Sequence, residues 1–145
     1  MRALIQRVKS ASVRVEGQIV GKIGPGLLTF LGVSATDTEV ESDKIIQKIL
    51  KLRVFEDDAG KMNLSLLDKK GEHLIVSQFT LYGDTTKGNR PSFIDAARPD
   101  VANALYEKAV FVSRAAGVKT ETGKFQAQMD VELVNDGPVT LWMEI

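Results

Sequence analysis

Two short segments hold the side chains best suited to chemistry: Ser77-Gln78-Phe79-Thr80 and Asn135-Asp136-Gly137-Pro138-Val139-Thr140. Each sets small polar residues or unusual backbone at the end of an apolar stretch. The chain has no Cys and a single His, so the usual nucleophiles and general bases are nearly missing. Hydroxyls, main-chain groups and the substrate itself would have to carry most of any reaction. Over residues 74–80 an apolar strand runs into two hydroxyls, one amide and several main-chain N–H groups that lose their partners as the ladder ends. Such N–H groups can hold a carbonyl oxygen and the charge that develops on it, one donor being worth about 3 kcal/mol in the transition state. The plainer reading, which spacing alone favours, is that Ser77 and Thr80 terminate a strand and Gln78 is surface.

Thr80 as a nucleophile needs a base beside it. His73 lies upstream in the same extended segment, too far along the chain to serve, and reads as a strand-start or satisfied core histidine. Gly137-Pro138 is odd for a hairpin, because Pro donates no hydrogen bond and Gly removes the neighbouring side chain. A cis peptide would aim two carbonyls into open space, but an ordinary trans turn is the reading the residues favour. The run Lys87-Gly88-Asn89-Arg90-Pro91-Ser92-Phe93 joins two cations with an aromatic and could touch phosphate and stack a base; a solvated loop is the alternative. Arg7 and Lys9 share a strand face, as suits an edge strand protected against aggregation. Glu56, Asp57 and Asp58 lack metal-loop spacing and read as turn residues.

The elements that must position these residues follow from periodicity. Residues 3–15 and 18–23 read as strands around a Glu16-Gly17 turn. Gly24-Pro25-Gly26 breaks the chain before a buried strand at 27–33. A helix is expected at about 38–53, with Thr38 and Glu41 at capping-box spacing and Ile45, Ile46, Ile49 and Leu50 on one face. Residues 57–60 and 68–71 are turns, 62–67 is ambiguous, 73–79 is a central strand, and 83–91 is a polar loop. A second helix at about 99–116 opens on Pro99 and Asp100, buries Val101, Leu105, Ala109 and Val112, and ends at Gly117. Residues 125–133 and 139–145 alternate apolar and polar, which predicts a terminal hairpin around residues 135–138, with one apolar face. Strands outnumber helices and hairpins bracket both ends. The fold class is therefore α+β, with a mainly antiparallel sheet in barrel-like layers and two principal helices.

At 145 residues the chain reads as one domain, 1–145, with 43% hydrophobic content to build its core. Nineteen basic and nineteen acidic residues balance, which excludes a globally basic surface and leaves room only for a local patch. No stretch has the roughly 20 apolar residues of a membrane helix, and the start lacks a signal-peptide core. Without Cys there are no disulfides or thiolate metal sites, and one His makes a zinc site a poor reading. A cytoplasmic protein is the expectation, with no metal and no cofactor.

Five motifs in order carry a further inference. The Met1-Arg2-Ala3 start with Arg7-Val8, the run from Phe55 through Gly60-Lys61-Met62-Asn63-Leu64-Ser65, Ser77-Gln78-Phe79-Thr80-Leu81, Lys87-Gly88-Asn89-Arg90-Pro91-Ser92-Phe93 and Asn135-Asp136-Gly137-Pro138-Val139-Thr140 together resemble the D-aminoacyl-tRNA deacylases, essentially end to end. The resemblance implies that fold, a homodimer, and hydrolysis of the ester joining a D-amino acid to the terminal adenosine of tRNA. It implies that Ser77, Gln78, Phe79 and Thr80 line the catalytic pocket. It implies that the Gly137-Pro138 peptide is cis and enters the partner subunit's pocket as a chirality filter that excludes the L side chain. Arg7 is expected to brace that turn, Met129 to form pocket wall, and Met143 and Trp142 to supply interface. A filter that acts by exclusion also passes glycine, including glycine mischarged on tRNA-Ala. Two other readings stay open: a tRNA 3′-end binding module without chemistry, and a general hydrolase of D-amino acid esters.

Overall fold

The computed structural model describes residues 1–145. Strand β1 (Arg2–Val15) turns back at Glu16-Gly17, both at positive φ, into β2 (Gln18–Ile23). β3 (Gly26–Gly32) follows the Gly-Pro-Gly break. Helix α1 (Glu39–Leu50) starts at Thr38, whose hydroxyl takes the Val40 N–H while Glu41 reaches back to the Thr38 N–H at 2.7 Å. The short strands β4 (Phe55–Glu56) and β5 (Met62–Leu64) and the single helical turn α2 (Leu66–Lys69) fill the ambiguous stretch. Then come β6 (Glu72–Ser77), a 3-10 turn over Phe79–Tyr82, α3 (Pro99–Ala115), β7 (Thr120–Thr122) and β8 (Asp130–Glu144).

The sheet is built around β1. β8 pairs with nearly its whole length, β3 with its first half and β2 with its second, all antiparallel. β6 joins β3 and β7 joins β6, both parallel. β2 and β7, at opposite ends of this path, touch again, so the sheet curls into a nearly closed barrel. Strand alternation divides the core in two. Ile5, Leu27, Leu31 and Ile75 face outward under Ile45, Ile46 and Ile49 of α1 and Leu105 and Ala109 of α3. Val8, Val13, Ile23, Leu28, Leu74 and Val76 fill the inside of the curl. β6 is thus apolar on both faces, as a strand parallel to its neighbours and covered on both sides must be. No helix is long and apolar enough to cross a membrane.

Several expectations are corrected. The terminal hairpin does not exist: β8 is one strand, paired with β1 on both sides of the expected turn. Gln6 faces Thr140 and Val8 faces Asn135, so residues 136–139 bulge out opposite Arg7 alone. A bulge keeps the strand direction, and period-two alternation on both sides cannot distinguish it from a turn that reverses the chain. The alternation at 125–129 is not a strand either; Ala127 N bonds to Lys124 O at 3.1 Å and Gln126 sits at positive φ. β1 is the hub rather than an edge, and Arg7 is buried. The Gly137-Pro138 peptide is cis, as the resemblance implied and the trans reading of the residues did not. On α3 the buried stripe runs through Leu105, Tyr106, Ala109, Val110 and Ser113, while Val101 is exposed. Met143 is buried in the core and cannot be interface; Trp142 is half exposed.

His73 is fully buried and satisfied, with Nε2 at 2.8 Å from Thr29 Oγ1 and Nδ1 at 2.9 Å from Ser113 Oγ, which in turn meets Thr120 Oγ1 at 2.7 Å. It is a core histidine and offers Thr80 no base. Burial lowers its pKa from 6.5 to about 3. The folded value lies below the unfolded one, so the unfolded chain takes the proton first. The stability this histidine contributes is complete above pH 6.5 and falls as the pH drops toward 3, by up to ~1.4 kcal/mol per unit. Urea melts between pH 5 and 6.5 should show this slope in the parent and a flatter one in His73→Gln. Equal slopes would remove the histidine as its cause.

Candidate active site

β6 leaves the sheet at Ser77. Gln78 N still bonds to Leu31 O at 2.8 Å, the last link to β3, and the chain then coils through the 3-10 turn. The turn is closed by Leu81 N to Gln78 O at 3.3 Å and Gly83 N to Thr80 O at 3.0 Å. The N–H groups of Phe79 and Thr80 come before these bonds, as the first donors of any helical segment do. The turn sits close on the end of β3, where a Cβ on Gly32 would lie 3.0 Å from Gln78 O and 3.1 Å from Leu81 Cβ. Only glycine allows that approach without displacing the donors.

Arg2 pins the far side of the turn. Its Nη1 donates to Leu81 O at 3.0 Å, its Nε to Glu144 at 2.8 Å, and its guanidinium lies 4.4 Å from the Tyr82 ring centre and 5.8 Å from that of Trp142. Arg2→Ala should loosen the turn and lower kcat about tenfold, ~1.4 kcal/mol of barrier, with little change in KM. A rise confined to KM would show that Arg2 only shapes binding.

The turn forms one lip of a cavity of about 730 Å³. Ser77, Gln78 and Phe79 lie on its wall with Met129, Tyr106 and Phe125. The segment 125–129, whose alternation mimicked a strand, instead lies across the cavity. Phe79 is exposed and meets Phe93 edge-on, ring centres 5.0 Å apart, at the rim. Thr80 is exposed just beyond the wall, and its hydroxyl accepts from the Gln78 amide. The lining has no Asp, Glu, His, Lys, Arg or Cys. Its one ionisable group, the Tyr106 phenol, donates to Ile75 O at 2.7 Å, and burial pushes its pKa up to about 12. The cavity is therefore mostly apolar, with the Ser77 hydroxyl, the Gln78 amide and main-chain donors at one edge, Gln126 and Gln128 also on its lining, and no side chain that takes a proton near neutral pH. Tyr106 and Phe125 were not anticipated as site residues. Their only signal was helical spacing of Ala102 and Tyr106 and the alternation at 125–129, both of which read equally well as core.

Arg7, Gly137 and Pro138 do not join this cavity. Gly137 and Pro138 stand on the β8 bulge, and Arg7, opposite it on β1, lines a neighbouring polar hollow of about 590 Å³ with Asp136, Lys9, Lys69 and Lys70. Asn135 closes the neck of the bulge: its Nδ2 donates to Thr140 Oγ1 at 2.8 Å and its Oδ1 accepts from Val139 N at 3.0 Å. Arg7 supports it from inside, with Nη1 to Val54 O at 2.6 Å, Nε to Asp136 O at 3.2 Å, and the Asp136 carboxylate at 3.4 Å. Val139 is buried behind, so Gly137 and Pro138 stand exposed on a held base. Gly137 has φ +126, and a Cβ there would come within 3.1 Å of Arg7 Nη2 and 3.0 Å of Val139 N.

The family model described as D-Tyr-tRNA(Tyr) deacylase matches residues 4–144. A D-aminoacyl-tRNA deacylase of Jannaschia sp. (strain CCS1) is 62% identical over 99% of this chain and 98% of its own length. The one from Bacillus velezensis is 55% identical over 99% of this chain and 98% of its own. Among solved structures, a c-Myc DNA unwinding element binding protein superposes with a TM-score of 0.93 at 42% identity, covering 100% of this chain and 99% of that one. A probable eukaryotic D-amino acid tRNA deacylase superposes at 0.85 over 99% of this chain and 98% of its own, but at 20% identity that likeness speaks to fold alone. Matched along nearly its whole length by one family model, and more than half identical to these relatives from end to end, the chain belongs to the D-Tyr-tRNA(Tyr) deacylase family.

Proposed function

We propose that this D-aminoacyl-tRNA deacylase, a single domain over residues 1–145, hydrolyses the ester between a D-amino acid and the terminal adenosine of tRNA in the cavity beside Ser77, Gln78, Phe79 and Thr80. The observation that carries the reading is the cavity lining: main-chain donors stand at one lip and no general base stands anywhere on it. An aminoacyl ester is already activated relative to an amide, and its ribose carries a hydroxyl next to the ester. The N–H groups of Phe79 and Thr80 hold the developing oxyanion, and the substrate's own hydroxyl orients or activates the attacking water. Phe79 and Met129 shape the apolar wall.

The chirality filter is the Gly137-Pro138 bulge of a second subunit. One edge of β8 pairs with β1 and the other is bare, and exposed Val134, Leu141 and Trp142 lie along this strand. A long apolar edge strand is a surface that a second copy covers. From there the bulge reaches the partner's cavity and meets the amino acid's α-carbon with backbone rather than side chains. A steric block rejects the L side chain far more completely than an apolar pocket could. Glycine has nothing to block, so glycyl-tRNA, including glycine mischarged on tRNA-Ala, is also a substrate. The enzyme works in the cytoplasm, where charged tRNA is found.

The test is hydrolysis of D-tyrosyl-tRNA, L-tyrosyl-tRNA and D-tyrosine methyl ester by the pure protein. Release from the D-tyrosyl-tRNA alone supports the proposal. Release from the methyl ester as well would make it a general D-ester hydrolase, and release from none would leave a tRNA-end binding module.

A further inference from the structure

We propose that the loop between Asp84 and Ser92 grips the acceptor strand of the substrate, with Lys87 and Arg90 on the phosphates that precede the terminal adenosine; this rests on the deacylase reading above. The loop is clasped at its base. Asp84 N donates to Ser92 O at 2.8 Å and Ser92 N to Asp84 O at 2.9 Å. The Asp84 carboxylate accepts from Thr86 N at 2.9 Å, so the only acid in the loop is occupied by backbone. Gly88, at φ +74, turns the tip. Lys87 and Arg90 stand exposed on this arch and take part in none of the protein's ion pairs.

Position gives the charges their meaning. Phe93 follows the clasp directly, lines the active cavity and meets Phe79 edge-on. The arch therefore rises from the rim through which a chain attached to a bound aminoacyl-adenosine must leave. That chain carries one phosphate per nucleotide. Of the other lysines outside the ion pairs, Lys9, Lys69 and Lys70 line the polar hollow among Glu56, Glu72 and Asp136, where acids offset them. With the whole chain at zero net charge, a polyanion has no general attraction to the surface and needs a local pair of cations. Exposed Arg and Lys on a clasped arch, beside an aromatic rim, supply it without reading sequence.

The experiment compares Lys87→Gln/Arg90→Gln with the parent on D-tyrosyl-tRNA and on 3′-O-D-tyrosyl-adenosine, which has no phosphate. On the tRNA, kcat/KM should fall about tenfold at physiological salt, through KM, and the salt slope should flatten by about 2, one per lost phosphate contact. On the adenosine ester nothing should change. Unchanged tRNA kinetics would overturn the assignment, as would an equal loss in Lys69→Gln/Lys70→Gln, which would point to bulk charge rather than this arch. Failure of the parent to cleave either substrate would instead sink the deacylase reading, and the grip with it.

Discussion

Substrate ending in 2′-deoxyadenosine should be cleaved about 10²–10⁴-fold more slowly than normal D-aminoacyl-tRNA, while Thr80→Ala should lose no more than about tenfold. The cavity dictates this order. Its lining has no carboxylate, imidazole or amine to take a proton, and the single histidine is buried with both ring nitrogens bonded elsewhere. The Tyr106 phenol, held near 12 and committed to Ile75 O, stays protonated throughout the working range. The lining supplies no proton acceptor, and in the proposed mechanism the substrate hydroxyl adjacent to the ester takes that part. Thr80 has no base to deprotonate it: its side-chain partner, the Gln78 amide N–H, donates to its hydroxyl and takes no proton. Removing that hydroxyl leaves in place the Phe79 and Thr80 N–H groups, the donors that hold the oxyanion in the proposed mechanism. Single-turnover rates on the two substrates and two proteins give the answer. A large loss with Thr80→Ala and none with the deoxy substrate would reverse the roles and make Thr80 the nucleophile.

Gly137→Ala should cost about 10²-fold in kcat/KM, the scale of a 1 Å misplacement of a positioning group, while the protein stays folded. At φ +126 an L side chain is strained, and the new Cβ would press on Val139 N and on Arg7 Nη2. Arg7 is not free to yield, because its Nη1 is bonded to Val54 O and its Nε to Asp136 O. The bulge must move instead. Gly137 and Pro138 are exposed, so the strain is confined to the bulge and its buried neighbours Val139 and Arg7, and Tm should drop by only a few degrees. The same variant tests where the bulge acts. Mixed with an equal amount of a pocket variant such as Gln78→Ala/Phe79→Ala, also inactive alone, it should recover about a quarter of parent activity, because half the dimers are mixed and each carries one intact pocket facing one intact bulge. No recovery after subunit exchange would place the bulge's action within its own subunit and remove the crossed filter from the proposal.

Local chemistry made much of this protein legible from its residues. Thr38 and Glu41 announced a helix start because a capping box needs only contacts within one turn. Pro99 and Asp100 did the same for α3, and Glu16-Gly17 for the first hairpin. The motif at residues 77–80 was visible as a strand running out into donors, since that pattern is contained in seven consecutive residues. Composition also narrowed the chemistry: with no Cys and one His, thiolate catalysis was excluded and imidazole catalysis had a single candidate.

What lay out of reach depends on partners distant in sequence. Period-two alternation is the same for a strand, a bulged strand and a segment lying over a cavity, so β8 read as a hairpin and residues 125–129 as part of it. Only pairing with β1 shows that the chain runs on past Asn135 and lifts residues 136–139 out opposite Arg7. Arg7 likewise read as an edge residue because nothing near it reveals that β1 has strands on both sides. Tyr106 looked like core until α3 was seen to border the cavity that opens where β6 ends. Sequence by itself determined which groups were available to react; tertiary structure decided which of them face the same space, because side-chain direction in a curled sheet is set by register with strands that lie up to the whole chain length away.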